Sequence, residues 1–193
     1  MTCPFPFRIF RKNVFKPLSN STTRFSETVE NYLKFRPGYP SEFIDFMTRN
    51  LGLNSNSIIA DIGSGTGKLT QLFLENGNKV FGIEPNLEMR RAAEKLFENQ
   101  SIFHSLDGTA ETTNLYNQCV NFITAAQAFH WFDIPKTKRE FRRILKKDGL
   151  VLLIWNKRLD SKSDFMHGYN DFLENYSTEL QSINLEESPI KRA

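Results

Sequence analysis

The sequence predicts a doubly wound α/β domain built on a parallel sheet, and three observations carry that expectation. An apolar run, Ile58 to Ile62, has the length of a buried parallel strand and is followed at once by Gly63, Gly65 and Gly67. Leu69, Leu72 and Phe73 then fall at helical spacing, and Gly77 suits the end of that helix. A second apolar run, Val80 to Ile83, stops on Glu84. Strand, glycine loop, helix and strand form the repeating unit of such sheets.

The chemistry of this unit follows from its parts. Glycines at alternate positions open backbone angles closed to other residues and let a ligand approach the main chain. A helix that starts after the loop points free N–H groups and positive dipole at the ligand, which suits a carboxylate or phosphate. Glu84 holds the strand-tip place where such folds keep an acid for ribose hydroxyls. The expected ligand therefore carries a ribose and an anionic end. A glycine turn without a ligand is the alternative.

Glycine spacing separates two ligand classes. The dinucleotide fingerprint is G-x-G-x-x-G. This chain has G-x-G-x-G, with Asp61 two residues ahead of it. A carboxylate there favours a cationic amino acid moiety and repels a pyrophosphate. The arrangement Asp61-Ile62-Gly63-Ser64-Gly65-Thr66-Gly67 resembles motif I of the class I methyltransferases that use S-adenosyl-L-methionine. Two other stretches resemble one group within them, the methyltransferase type 11 and trans-aconitate methyltransferase-like proteins. One is Phe25 to Pro40, with Tyr32, Phe35, Arg36, Pro37, Gly38, Tyr39 and Pro40; the other is Gln127-Ala128-Phe129-His130-Trp131-Phe132.

The resemblance spans about residues 25–158 and implies a Rossmann-like sheet of strand order 3-2-1-4-5. It implies methyl transfer from S-adenosyl-L-methionine to a small-molecule acceptor, at oxygen, carbon or a carboxyl group. The cofactor residues it implies are Asp61, Gly63, Ser64, Gly65, Gly67, Glu84, Pro85, Ala110, Glu111 and Gln127, with segment 25–40 as a cap. His130 is implied on the acceptor side, as a base or an orienting group. A domain that binds cofactor or a partner without catalysis is the second reading, and a nicotinamide-dependent oxidoreductase the third. The strand-end segment is not the Asn/Asp-Pro-Pro-Tyr type of enzymes that methylate exocyclic or amide nitrogens, which speaks against a nucleic-acid methyltransferase.

Composition sets bounds. A chain of 193 residues has the length of one domain with a substantial core. Residues 1–26 carry Arg8, Arg11, Lys12, Lys16 and Arg24 and no acid, whereas the rest carries 20 basic and 22 acidic side chains. The fold itself is thus no basic nucleic-acid binder. Cys3 and Cys119 fit no metal pattern, so no metal is expected, and Cys119 reads as a core thiol. No apolar run approaches membrane-spanning length. A cytoplasmic protein is expected, with organelle targeting by residues 1–25 as the alternative. Oligomeric state is not legible.

In chain order, residues 1–25 read as an extension, 26–158 as the cofactor domain and 159–193 as a helical segment. Two helices are expected around Arg36 to Pro40, the second with Phe43, Met47 and Leu51 on one face. After Pro85 a helix is expected with Met89, Ala92, Ala93, Leu96 and Phe97 on one face. Ile102 and Phe103 mark a third strand, Asp107 to Glu111 a polar loop and Val120 to Ala126 a fourth strand. Phe141, Ile144 and Leu145 give a helix face, and Asp148-Gly149 turns into a fifth strand, Leu150 to Trp155. A helix is expected near Phe165 to Tyr176. The related sheets finish with an antiparallel hairpin, and no period-2 pattern for it follows Asn156. The fifth strand is therefore expected at an exposed edge or beneath that helix, with cofactor binding kept and turnover weak.

Overall fold

The computed structural model describes residues 37–156 and 164–176. In order, the first stretch forms α1 (Glu42–Leu51), β1 (Ile58–Ile62), α2 (Lys68–Glu75), β2 (Lys79–Ile83), α3 (Leu87–Leu96), β3 (Phe103–Leu106) and β4 (Val120–Ala126). A 3₁₀ turn (Phe129–Trp131), α4 (Ile134–Ile144) and β5 (Leu145–Ile154) complete it. The helix α5 (Asp164–Tyr176) belongs to a second unit; in it the rings of Phe165 and Tyr169 stack at 6.3 Å. Residues 1–36, with the proposed extension and the first cap helix, lie outside the described residues. So does the chain after Asn156 apart from α5, where the closing hairpin was in question.

The five strands form one parallel sheet, as expected from the alternation of strand and helix, in the order β3-β2-β1-β4-β5 that the family resemblance implies. One face packs Met47, Leu69, Phe73, Val80 and Phe97; the other packs Ile62, Ile83, Ile123, Phe141 and Ile144. Both faces of β1 are covered, which is why it reads as a nearly continuous apolar run. Helix starts follow local chemistry. Asn86 accepts the Met89 N–H at the head of α3, and Asp133 accepts the Lys136 N–H at the head of α4.

Three local expectations need correcting. Leu96 is 54% exposed, so the buried face of α3 is Met89, Ala93 and Phe97. Leu145 is not in a helix: it opens β5, pairing with Val120. Pairing then jumps, with Phe122 opposite Leu150, so a two-residue step on β4 meets a five-residue step on β5. Asp148-Gly149 thus sits in a bulge rather than before the strand, and a Cβ on Gly149 would lie 2.6 Å from the Leu145 side chain. β5 is an outer strand, with Leu150 40% and Val151 43% exposed.

One partly buried ion pair fixes the loop after β3 to α4. Glu140 accepts the Arg143 Nη2–H at 2.7 Å and both the N–H and hydroxyl of Thr113. Arg143 also reaches the Leu115 carbonyl at 2.8 Å. The Arg143 guanidinium holds the Glu140 carboxyl down at about 2, and the Thr113 bonds act in the same direction against desolvation. A depressed carboxylate stabilises above its unfolded value and loses that contribution as pH falls through the folded one. Glu140→Gln is therefore expected to cost about 2–3 kcal/mol at pH 7. Urea titrations should show the deficit shrinking as pH falls from 4.5 toward 2.

Candidate cofactor site

Strand order reverses between β1 and β4, and a pocket opens at their carboxyl ends. Asp61, Gly63, Ser64 and Thr66 line it from β1 and the glycine loop, and Lys68 and Leu69 from the first turn of α2. Ala126 and Gln127 contribute from the tip of β4, together with Pro37, Tyr39 and Asn156.

Asp61 is only 1% exposed, and both its oxygens are engaged. Oδ2 accepts the Thr70 hydroxyl at 2.8 Å and Oδ1 the Thr124 hydroxyl at 3.0 Å, and the Thr70 backbone N–H also donates to this carboxylate. Thr70 lies in the first turn of α2, which has no other side-chain cap. The acid at the end of β1 therefore supplies negative charge to the amino end of α2 and ties both to β4. Burial pushes its pKa up to about 6, against those three hydrogen bonds. It is anionic at neutral pH.

Four amides of the glycine loop are taken up by the protein itself. Gly63 and Ser64 donate to the Ile83 carbonyl, Gly65 to Glu84 Oε2 at 2.8 Å, and Gly67 to the Ser64 carbonyl. All three glycines have φ between 57° and 86°, for different reasons. A Cβ on Gly63 would stand 2.7 Å from Ala128 Cβ, and one on Gly67 would stand 2.3 Å from the Phe97 ring. A Cβ on Gly65 would meet nothing nearer than Met89 Sδ at 3.6 Å.

Glu84, 8% exposed, caps the loop through Oε2 and accepts the Asn86 N–H at 2.9 Å through Oε1. Each oxygen keeps a lone pair. Burial raises its pKa, while these two N–H groups and the nearby Arg90 pull it down. Arg90 also braces the region: it donates to the Glu84 carbonyl at 2.7 Å and pairs with Asp107 at 3.2 Å. The tips of β2 and β3 are thereby joined. Gly108 follows, with room for no side chain beside Ile83 and the Thr112 carbonyl.

The other expected residues are spread around this centre. Gln127 lines the pocket in a left-handed conformation, φ 57°, uncommon for a residue with a side chain. Its N–H donates to the Ile154 carbonyl and its amide to the Asn156 carbonyl. Gly65, Gly67, Glu84, Pro85, Ala110 and Glu111 are not among the residues that line the pocket. Ala110 is buried in the core, and Glu111 accepts the Asp133 N–H at 2.7 Å, holding its loop to the start of α4. His130 is exposed, rests against Trp131 at 4.8 Å and is not in the pocket wall. Thr66, Lys68, Leu69 and Asn156 were missed. Thr66 hid inside a motif read for its glycines, and Asn156 comes near Gln127 only through β4–β5 pairing.

Residues 60–153 match the family model described as a methyltransferase domain. Residues 60–153 are a methyltransferase domain of this family. A methyltransferase-like protein of Schizosaccharomyces pombe is 31% identical over 138 residues, covering 71% of this chain and 53% of the relative. A methyltransferase of Mycobacterium tuberculosis is 34% identical over 134 residues, covering 69% and 52%. Among solved structures, a protein of Methanococcus maripaludis assigned as an S-adenosyl-L-methionine-dependent methyltransferase superposes with TM-score 0.67. It is 19% identical, and the match covers 91% of this chain and 84% of that one. The chain spans about half the length of the curated relatives it matches.

S-adenosyl-L-methionine is the cofactor of this family, and the pocket suits it. Thr66 Oγ1 is buried in the pocket wall without a hydrogen-bond partner among the described residues. The surface over Gly65 is clear of side chains that a Cβ would strike. Among the described residues no His, Cys, Asp or Glu cluster is placed to hold a metal, and no helix is long and apolar enough to cross a membrane.

Proposed function

We propose that this methyltransferase moves the methyl group of S-adenosyl-L-methionine to a small-molecule acceptor, at oxygen, carbon or a carboxyl group. The observation that carries the reading is Asp61 at the amino end of α2. A dinucleotide fold presents that helix end to a pyrophosphate. Here the protein's own carboxylate holds it, which repels a pyrophosphate and favours a cationic amino acid moiety.

In this reading Glu84 accepts the ribose hydroxyls with its remaining lone pairs, and Gly65 gives the close approach. Asp61, Ser64, Thr66, Lys68 and Gln127 surround the amino acid end. Gly63 and Gly67 shape the loop, while Pro85, Ala110 and Glu111 belong to the adenine side. Bound S-adenosyl-L-methionine supplies a methyl group already made electrophilic by its sulfonium. The residues of the site then have to hold, orient and exclude water. A base is required only for an acceptor that must lose a proton. Assigning that role to His130 is part of the proposal, and His130→Ala with unchanged turnover would remove it. Residues 26–158 as the functional domain and a cytoplasmic location belong to the same proposal; limited proteolysis and cell fractionation test them.

Calorimetry with S-adenosyl-L-methionine, S-adenosylhomocysteine and NAD tests the central claim. The first two should bind and NAD should not; the reverse would overturn the reading. Binding without methyl transfer to a panel of small acids and phenols would favour the non-catalytic alternative. Glu84→Gln keeps shape and loses the charge, and should weaken S-adenosyl-L-methionine by about 1.5–3 kcal/mol in the same instrument. Unchanged affinity would refute the ribose assignment.

A further inference from the structure

We propose that the outward face of α4, with the start of β5, docks this protein on a bilayer surface that carries anionic headgroups.

The charge pattern there stands apart from the rest of the fold. Residues 134–147 carry seven basic side chains and one acid, Glu140, whereas residues 27–193 as a whole carry 20 basic and 22 acidic ones. Glu140 is buried and committed to Arg143 and Thr113. The helical period turns Thr137, Glu140, Phe141 and Ile144 to the core and leaves Lys136, Lys138, Arg139 and Arg142 exposed. Lys136 pairs with Asp133 at 3.0 Å. Lys138, Arg139, Arg142 and Lys147 form no ion pair among the described residues. The other surface helices mix their signs: α1 pairs Arg49 with Asp45, and α3 pairs Arg91 with Glu88. Along α4 like charges meet at i,i+4 instead, Lys138 beside Arg142 and Arg139 beside Arg143. Such pairs weaken a helix, and an external polyanion relieves them.

Two apolar side chains say which kind of polyanion. Ile134, at the head of α4, is 43% exposed, and Tyr116 is 87% exposed. Tyr116 lies beside the other end of the helix, where Arg143 donates to the Leu115 carbonyl and to Asn117 Oδ1. A nucleic-acid duplex offers phosphates to the cations and nothing to an isoleucine. A protein partner would meet lysines, which interface cores avoid. A bilayer answers both features. Its headgroups take the lysines and arginines, and its boundary layer takes a tyrosine ring and a short apolar group. The apolar stripe of α4 is already packed on the sheet through Phe141 and Ile144, so the helix does not insert. Contact is by charge along about 16 Å of helix, and is shallow, reversible and salt-sensitive.

The full chain is sedimented with vesicles of phosphatidylcholine alone, and with vesicles in which part of it is replaced by phosphatidylserine. Only the second should carry the protein down. Raising salt from about 0.1 M to about 1 M shortens the screening length from about 10 Å to about 3 Å and should release it. Residues 1–26 are also basic, so two variants of equal charge are compared. One replaces Lys138, Arg139, Arg142 and Lys147 by Gln; the other replaces Arg8, Arg11, Lys12 and Lys16 by Gln. The first should lose binding about a hundredfold, since each cation near the surface contributes about one factor of five, and the second should keep most of it. Circular dichroism and S-adenosylhomocysteine affinity should match the wild type in both. Should the first variant not fold, Lys138→Gln with Arg142→Gln decides, with about a tenfold loss expected. No binding to the anionic vesicles, or a loss as large in the second variant as in the first, would overturn the proposal. Random-sequence duplex DNA that displaces the protein from the vesicles at equal phosphate concentration would overturn it too, in favour of a nucleic acid. Displacement by polyglutamate at equal charge would do so in favour of an acidic protein.

Discussion

Gly65→Val is expected to abolish S-adenosyl-L-methionine binding, at least a hundredfold, while the domain stays folded by circular dichroism. The three loop glycines are not equivalent. Gly63 and Gly67 are pressed against Ala128 and Phe97, so the protein itself needs them small. Around Gly65 the nearest atom to a Cβ is Met89 Sδ, at ordinary contact distance. In the proposed cofactor reading, a side chain there takes up the space for the ligand. Valine also strains a backbone at φ 57°, where β-branched residues are rare. Gly65→Asn separates the two effects, because asparagine tolerates left-handed angles and still places a side chain over the loop. It should fold with near-native stability and still lose binding by calorimetry. Retained binding in both variants would make the loop only a turn.

Gly67→Ala is expected to destabilise the domain by about 3–4 kcal/mol, through its fold rather than its ligand. The new Cβ would lie 2.3 Å from Phe97 Cε2 and 2.9 Å from Cζ. Phe97 cannot swing aside, because it is buried and edge-on to Phe103 at 4.9 Å. Overpacking of this kind costs about 1–3 kcal/mol, and a left-handed φ of 86° adds about 1–2 kcal/mol for a residue with a Cβ. The melting temperature should fall by roughly 10 °C. A loss under 1 kcal/mol in urea would mean that the Phe97 ring repacks. Gly67→Ala with Phe97→Leu should recover part of the loss, since the clash is with the ring.

These two variants mark how far the sequence could be read. The alternate glycines announced a loop that needs unusual backbone angles, and all three have them. Which glycine faces protein and which faces ligand depended on Phe97 and Ala128, which lie 30 and 65 residues away from Gly67 and Gly63 in sequence. The loop amides show the same limit. Nothing in the sequence said that Ile83, Glu84 and Ser64 would take the amides of Gly63, Ser64, Gly65 and Gly67. Leu96 and Leu145 failed for a related reason: periodicity reports apolar spacing, not whether a neighbour arrives to cover the residue.

Determined by the sequence alone were the alternation of strand and helix, the parallel sheet and the family motif around Asp61 and Glu84, with the strand order 3-2-1-4-5 carried by the family resemblance. These depend on local patterns, since apolar runs, glycines and strand-end acids are contiguous in the chain. Tertiary structure alone decided that Asp61 caps α2 and bridges to Thr124, and that Arg90 joins the tips of β2 and β3. It alone decided that the Trp155 indole nitrogen is buried, with Phe129 edge-on to the ring and no hydrogen-bond partner among the described residues. Each of these depends on what strand pairing brings beside a residue, and a buried polar group takes its role from those neighbours rather than from its place in the chain.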